Sequence, residues 1–388
     1  MLTLTSILTN WININMDWMT ANEALTLLGT QPQTLYANVS RGRIKAKPDP
    51  ADSRRSLYRG DDVRRLAQRG AGRRKQETIA AEAIRWGEPV LTSSISTIVD
   101  AHLLYRGHDA AELAETYTLE HLAGLLWETS AVELRDGPIE GPGSIRAGLV
   151  ALAERAATDW TTLGRSESVL KTEANSVLST VSMALIGAHS ETGPLHIRLA
   201  SAWDCPDATD LLRRTLVLLA DHELNASTFA ARVTASTGAS LAAATLSGLA
   251  ALTGPLHGRA SIAALQLSEE AKTLGAEAAV LARLGQGRHI TAFGHQLYDD
   301  GDARANALFD HFEMPQHFAE LRAAAERITG ARANIDFALA AITRAHNLPE
   351  DAPMILFALG RSVGWLAHAL EQVTSGELIR PRARYVGD

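Results

Sequence analysis

Apolar residues recur at helical spacing along most of this chain. In its middle, Leu212, Leu216 and Leu219 fall on one helix face, and Phe229 and Val233 share the face of a later helix. Glycine, proline or asparagine separates such stretches, and continuous β-branched runs of strand length are scarce. The pattern therefore predicts a mainly α fold for the body of the protein.

A different pattern begins near residue 17. Thr20 and Glu23 form a capping box at the start of a short helix, and Gly29 ends that helix. Thr30 is placed to cap a second helix, with Pro32 in its first turn. Two short helices joined in this way predict a helix-turn-helix.

A turn and an extended segment follow the second short helix. Pro48-Asp49-Pro50 is typical of a turn, residues 54–58 are expected to be extended, and Asp61 is placed to cap another helix. This order resembles the winged helix of excisionase and MerR-type proteins. The resemblance implies a winged helix-turn-helix module over residues 17–69, with a linker over residues 70–77.

Length and cysteine content narrow the class of protein. A chain of 388 residues predicts two or three folding units. Cys205 is the only cysteine, which excludes an internal disulfide and favours the reducing cytoplasm.

No apolar run is long enough to span a bilayer. Residues 1–16 lack the basic start of a signal peptide, so we interpret them as a disordered or artificial extension, with Met16 as a candidate start.

Charge is distributed unevenly along the chain. Residues 41–75 contain thirteen Lys or Arg against four Asp, a local charge of +9, whereas residues 76–388 carry 24 basic and 38 acidic groups, or -14. The asymmetry indicates two differently charged parts. A basic N-terminal module makes DNA a candidate partner, although the expected recognition helix, residues 31–39, has no Arg or Lys to read guanine.

Two histidines and one aspartate occupy positions suited to chemistry. His257 follows Gly254-Pro255-Leu256 between two predicted helices, where backbone groups are unpaired and side chains are exposed. His295 follows a glycine at another element boundary. Asp336 stands near a helix start, where capping is the commonest role of an aspartate. No histidine or cysteine spacing is typical of a zinc site.

Several polar motifs in one order resemble the citrate synthase family over residues 90–387. In chain order the motifs are Leu104-Tyr105-Arg106-Gly107, Asp221-His222-Glu223-Leu224-Asn225-Ala226-Ser227-Thr228-Phe229, Gly254-Pro255-Leu256-His257-Gly258, Phe293-Gly294-His295, Asp302-Ala303-Arg304-Ala305, Asn334-Ile335-Asp336-Phe337, Gly360-Arg361 with Gly364-Trp365, and Arg380-Pro381-Arg382. A set of independent motifs in the family's order is far more specific than any one of them.

The resemblance implies a two-domain helical fold. The large domain would comprise residues 78–258 and 346–388, and the small domain residues 259–345. The small domain would close over the large one, excluding water and assembling the site. The resemblance also implies an obligate homodimer, in which Arg380 reaches the site of the neighbouring subunit.

The resemblance assigns a role to each polar group. Asp336 would be the base that takes a proton from the acyl methyl group, His257 the donor to the enolate oxygen, and His295 the donor to the carbonyl of oxaloacetate. The resemblance implies neither a metal nor a redox cofactor, since acetyl-CoA is a substrate. The groups expected to bind the oxaloacetate carboxylates are His222, Arg304, Arg361 and Arg380.

Three functions remain open on sequence grounds. The first is a citrate synthase, an acyltransferase that condenses acetyl-CoA with oxaloacetate and water to citrate and CoA. The second is a 2-methylcitrate synthase, which uses propionyl-CoA with the same residues. The third is a DNA-binding regulator whose synthase-like body senses a metabolite. If the N-terminal module does not bind DNA, it is a solvated, dimer-stabilising or vestigial appendage.

Six residues at four places depart from the family pattern. Arg259 replaces a glycine or small apolar residue, Ser261 an asparagine, and Gln296 a frequent arginine. Ala338-Leu339-Ala340 replaces Tyr-Ser-Gly after the aspartate, and the loss of tyrosine at Ala338 is expected to widen the acyl pocket. None of these changes removes a proposed catalytic group.

Overall fold

A computed structural model describes residues 18–28, 30–50, 52–66, 91–130, 132–135, 141–298, 300–383 and 385–387. The expected extension over residues 1–16, including Met16, and the expected linker over residues 70–77 lie outside the described residues. The described chain divides into two compact units, residues 1–92 and residues 93–388.

The described part of the N-terminal unit combines three helical segments with a small antiparallel sheet. The predicted capping box is present, because Thr20 N donates to Glu23 Oε2 at 2.7 Å and Glu23 N donates to Thr20 Oγ1 at 3.4 Å. The sheet order is β1-β3-β2, and residues 60–66 are helical. The elements are β1 (Trp18–Met19), α1 (Ala21–Leu28), α2 (Pro32–Ser40), β2 (Ala46–Asp49) and β3 (Asp52–Arg59).

The second unit starts with a three-stranded antiparallel sheet and continues as helices, which confirms the predicted mainly α fold. Its elements are β4 (Ser96–Val99), β5 (His102–Tyr105), β6 (His108–Asp109), α3 (Ala110–Thr116), α4 (Leu119–Trp127), α5 (Ile145–Thr158), α6 (Glu167–Ile186), α7 (Leu195–Ala202), α8 (Thr209–Leu218), α9 (Ala226–Ser236), α10 (Leu241–Leu252), α11 (Ala260–Leu274), α12 (Ala276–Gly285), α13 (Ala303–Phe309), α14 (Gln316–Thr329), α15 (Ile335–Ala345) and α16 (Ala352–Ser375).

Two hydrophobic cores lie within the second unit. The larger one draws on most of its helices, from β4 to α16. The buried members of the smaller one all fall between Ala264 and Ala341, on α11, α12, α14, α15 and the segments before α13 and α15. This smaller core lies inside the range expected for a small domain, residues 259–345, whose boundaries stay a prediction.

Helix α16 is the central helix of the larger core. Contrary to the expectation that no apolar run is long enough to span a bilayer, α16 could do so by length and composition, but its apolar stretch is wholly buried in the fold. Helix α10 packs against it, and a Cβ added to Gly248 would come within 2.6 Å of the Trp365 ring. Small residues on α10 therefore allow a close approach of two helices within one chain.

Candidate active site

The loop between α8 and α9 carries His222, and the β4–β5 hairpin holds that loop in place. Ser96 Oγ donates to Asp221 Oδ2, and Tyr105 Oη donates to the Asp221 carbonyl at 3.2 Å. Asn225 ends the loop as the N-cap of α9. The His222 ring is buried, with Nε2 3.0 Å from Tyr298 Oη. Burial, together with the charges of nearby arginines, holds the pKa of His222 well below its usual range.

His257 lies in the short turn between α10 and α11, as the sequence predicted. Its Nε2 is 2.9 Å from Ser227 Oγ, and Ser227 Oγ also accepts from Trp365 Nε1 at 3.2 Å. An indole N–H only donates, so the Ser227 hydroxyl keeps its hydrogen for His257 or for Asn225 Oδ1 at 2.7 Å. Burial lowers the pKa of His257 to about 4, which leaves the imidazole neutral at pH 7.

His295 is oriented by its own turn. Its ring centroid lies 5.0 Å from that of His222 and 5.0 Å from that of Tyr298. The Leu297 amide donates to His295 Nδ1 at 3.1 Å. Burial lowers the pKa of His295 to about 4, so the ring is neutral and carries its hydrogen on Nε2. Nε2 is therefore available as a donor.

Asp336 occupies the first turn of α15 without capping it. Asn334 is the N-cap, since its Oδ1 accepts from Asp336 N at 3.0 Å. The Asp336 carboxyl instead accepts from Ser261 Oγ, on α11, at 2.5 Å. Burial raises the pKa of Asp336 to about 6, against the opposing influence of the Ser261 hydrogen bond and the Arg304 charge. The capping role expected of an aspartate at a helix start is therefore taken by Asn334.

The two buried arginines of the candidate site differ in how their charge is balanced. Arg304 forms a two-pronged ion pair with Asp302, at 2.9 and 2.8 Å, and Asp302 Oδ2 also accepts from Ile335 N at 3.0 Å. Arg361 Nε donates to the Leu219 carbonyl at 3.0 Å, but no carboxylate of the described residues forms an ion pair with Arg361. Burial accordingly lowers the pKa of Arg361. The charge of Asp221 opposes this shift without forming an ion pair, and a buried cation with no direct ion pair is costly unless a ligand supplies one.

Electrostatic interactions connect six of the seven predicted site residues. The charges of Arg304 and Arg361 lower the pKa of His222, after burial, and Arg361 also lowers that of His257. Arg304 acts in the same direction on His295 and opposes the raised pKa of Asp336. The structure thus brings together His222, His257, His295, Arg304, Asp336 and Arg361.

Arg380 does not join this cluster in a single chain. It is exposed in the segment after α16, and within the described part of the protein it forms no hydrogen bond or ion pair. Its predicted position in the site of a neighbouring subunit stays a prediction.

Several polar groups of the site were missed by sequence reasoning. Ser227 contacts His257, Tyr298 contacts His222, Asp302 pairs with Arg304, and Ser261 contacts Asp336. Ser227 and Asp302 lie inside the family motifs, so membership of those motifs could have identified both as site residues. Ala338 is fully buried in the larger core, on a different helix face from Asp336, so it does not line the side of the carboxyl group.

No group of three or more His, Cys, Asp or Glu residues suited to a metal ion occurs within the described ranges. Cys205 is buried as a free thiol, and burial raises its pKa to about 11. A thiol of this kind is a poor metal ligand and nucleophile. The expectation that the reaction needs no metal or redox cofactor stays a prediction.

A sequence model described as citrate synthase, C-terminal domain, matches residues 166–382, which is more than half of the chain. The chain belongs to the citrate synthase family. Citrate synthase 2 of Bacillus subtilis is 28% identical over 354 residues, which cover 78% of this chain and 94% of that protein. A 2-methylcitrate synthase of Shewanella oneidensis is 28% identical over 358 residues, covering 78% and 93%.

The solved structures agree with this family assignment. Citrate synthase from Thermotoga maritima is 26% identical, covers 78% of this chain and 94% of its own, and superposes with a TM-score of 0.64. The protein is thus an enzyme of the citrate synthase family, with the family's helical fold in its second unit. Two differently named relatives match the same share of the chain, so similarity alone leaves the acyl group open.

Proposed function

We propose that the protein condenses acetyl-CoA with oxaloacetate and water to give citrate and free CoA. One observation carries the proposal: a carboxyl group with a pKa of about 6 lies in a cluster with three neutral imidazoles and two buried guanidinium groups. Such a cluster combines a base, uncharged hydrogen-bond donors and sites for two carboxylates. Relatives named citrate synthase support the same conclusion.

Asp336 and His257 serve the first step. The methyl group of a thioester is a very weak acid, so its proton must leave to a base while the developing enolate oxygen is stabilised. The Asp336 carboxylate takes the proton, and its raised pKa makes it a stronger base than an ordinary aspartate. His257 donates from Nδ1 to the enolate oxygen in the tautomer in which its Nε2 accepts a hydrogen bond from Ser227 Oγ.

His295 serves the second step. Its neutral ring carries hydrogen on Nε2, because the Leu297 amide occupies Nδ1, and it donates to the keto oxygen of oxaloacetate. The enolate carbon then forms a bond to the keto carbon, and the new alkoxide takes a proton. Water finally attacks the thioester, which releases the CoA thiol and leaves the citrate carboxylate.

The arginines bind the second substrate. A guanidinium group binds a carboxylate with two parallel hydrogen bonds, which suits the two carboxylates of oxaloacetate. Arg361 is available for this purpose, since its charge has no ion pair among the described residues, and His222 adds a further donor. Arg304 keeps its ion pair with Asp302, and its guanidinium N–H groups outside that pair are available to the substrate. In a homodimer, Arg380 of each chain would complete the neighbouring site.

The assay that tests the proposal is thiol release from acetyl-CoA and from propionyl-CoA, each with and without oxaloacetate. We expect release that depends on oxaloacetate, with acetyl-CoA having the higher kcat/KM. A higher kcat/KM for propionyl-CoA would assign the protein as a 2-methylcitrate synthase instead. Absence of oxaloacetate-dependent release from either thioester would contradict an active synthase.

We also propose that the N-terminal unit is a winged helix-turn-helix that binds DNA. Exposed side chains on α2 include Gln33 and Tyr36, and exposed basic residues follow it. The β2–β3 hairpin has the position of a wing after the second helix. The basic residues exposed between α2 and the end of β3 are Arg41, Arg43, Lys45, Lys47, Arg54 and Arg55.

Charges on this surface are expected to bind phosphates. Arg54 and Arg55 are partly balanced by Asp52, and Lys47 lies over the Trp18 ring at 4.2 Å. Arg41 and Arg43 form no ion pair within the described ranges and are the better candidates for phosphate contacts.

Salt-dependent retention of the full chain on duplex DNA tests this second proposal. Changing Arg41, Arg43 and Lys45 to Gln should lower the salt slope of binding by about one unit per lost phosphate contact. The same number of basic residues replaced outside the module, at Arg146, Lys272 and Arg327, is the charge-matched control and should leave binding unchanged. Equal retention of the two triple variants would refute the proposal.

A further inference from the structure

Ser261 joins two helices at the candidate base. It is the second residue of α11, while Asp336 lies in the first turn of α15, and the two are 75 positions apart. Ser261 Oγ donates to Asp336 Oδ1 at 2.5 Å, and the Ser261 side chain is fully buried. At this position the citrate synthase family usually has asparagine, so the contact is made by a residue in which this chain departs from the pattern.

The first turn of a helix is suited to holding a carboxylate. Its backbone N–H groups lack partners in the helix, and its dipole favours negative charge. The position of the Ser261 backbone near the Asp336 carboxyl favours the ionised form, as the hydroxyl does, and so lowers the pKa of Asp336. The hydroxyl contact, at 2.5 Å, is the hydrogen bond that joins the two side chains.

The second carboxyl oxygen of Asp336 is available to take the substrate proton. No hydrogen bond among the described residues involves Asp336 Oδ2, while Oδ1 is occupied by Ser261. A carboxylate fixed at one oxygen rotates less, so the other oxygen keeps a defined direction toward the proton that it must take. Fixing the base in this way matters because a small misplacement of reacting atoms costs a large factor in rate.

We propose that Ser261 is a positioning residue, whose hydroxyl holds Asp336 Oδ1 so that Oδ2 is directed at the acyl group of the thioester. The inference rests on the proposed synthase activity and assigns a role to a residue that does not itself touch substrate. It also ties the candidate base to α11, so that movement of α11 moves the base.

The sign of the effect on proton affinity follows from the contact. A hydrogen bond to the ionised carboxylate stabilises it, so the Ser261 contact holds the pKa of Asp336 below the value that burial alone would give. Removing the hydroxyl raises this pKa above about 6. The base is then protonated, and inactive, up to a higher pH than in the unaltered protein.

The test compares Ser261→Ala with two further variants. Ser268→Ala is the matched control, because Ser268 is also fully buried on α11 but its hydroxyl donates only to the Leu265 carbonyl, at 2.7 Å. Ser261→Thr keeps the hydroxyl and is the rescue variant. Thiol release is measured as kcat and kcat/KM against pH for all of them, with oxaloacetate KM determined separately.

We expect Ser261→Ala to move the acid limb of kcat/KM upward by about one pH unit, since a hydrogen bond to a charged group is worth roughly one pKa unit or more. We also expect its kcat above the limb to fall by about tenfold with little change in oxaloacetate KM. The acid limb of kcat/KM in Ser268→Ala should coincide with that of the unaltered protein, and Ser261→Thr should return the limb to the same pH. A limb for Ser261→Ala that coincides with that of Ser268→Ala overturns the proposal.

An infrared titration of the carboxyl group separates this inference from the proposed activity. The difference between the unaltered protein and Asp336→Asn isolates the Asp336 signal without any turnover. A higher pKa in Ser261→Ala than in Ser268→Ala is expected even if no acyl-CoA is turned over. An unchanged pKa in Ser261→Ala would reject the positioning role, whereas absent thiol release in the unaltered protein would reject the synthase activity.

Discussion

Replacing Asp336 with asparagine is expected to lower kcat for thiol release by roughly a hundred- to ten-thousand-fold. Asparagine keeps the size of the side chain and an oxygen that can accept from Ser261, but it cannot take a proton. The loss should therefore fall on the enolisation step and leave oxaloacetate binding almost unchanged. Thiol release under saturating acetyl-CoA and oxaloacetate gives kcat, and calorimetric titration with oxaloacetate gives the binding constant.

Asp351→Asn is the matched control for Asp336→Asn. Asp351 also stands at the start of a helix, α16, but it is exposed and makes no side-chain capping hydrogen bond. We expect Asp351→Asn to retain the full rate. Comparable kcat values for Asp336→Asn and the unaltered protein would remove Asp336 as the base.

The second large effect is expected at Arg361. Arg361→Gln should raise KM for oxaloacetate by about a hundredfold, because charge-assisted hydrogen bonds to a carboxylate contribute roughly 1.5–3 kcal/mol. The thermal midpoint of the substrate-free protein should change little, because the substitution also removes the cost of burying a cation that has no ion pair in the described structure. Steady-state kinetics and thermal unfolding measure the two effects separately.

Arg213→Gln is the matched control, with the opposite expectation. Arg213 is also buried, but its guanidinium donates to the carbonyls of Ala114, Glu115 and Tyr117 and pairs with Asp210. Its loss leaves buried acceptors unsatisfied, so the thermal midpoint should fall while oxaloacetate KM stays unchanged. An unchanged KM in Arg361→Gln would exclude Arg361 from substrate binding.

The helical periodicity and the order of polar motifs were enough to predict the mainly helical fold and the family. Periodicity works for helices such as α8 and α9 because apolar residues must return to one face every turn. The motifs identified six residues that the structure brings together, including His257 at a helix break and Asp336 near a helix start. The capping box at Thr20 and Glu23 was also predictable, because it depends on neighbours three positions apart.

The sequence alone did not determine the contacts between distant segments. Ser261 was recognised only as a departure from the family pattern, and its hydrogen bond to Asp336 required α11 and α15 to be packed together. The motif gave the position of Ala338 along the chain and not its direction, and its expected effect on the acyl pocket stays a prediction.

The sequence by itself determined which residue types are present at the ends of which helices, and therefore a fold class and a chemically plausible set of groups. Only the tertiary structure decided their protonation and pairing: three histidines are neutral, Asp336 has a pKa of about 6, and Arg361 lacks an ion pair among the described residues. Proton affinity depends on exclusion of water and on charges within a few ångströms, and those neighbours come from segments far apart along the chain.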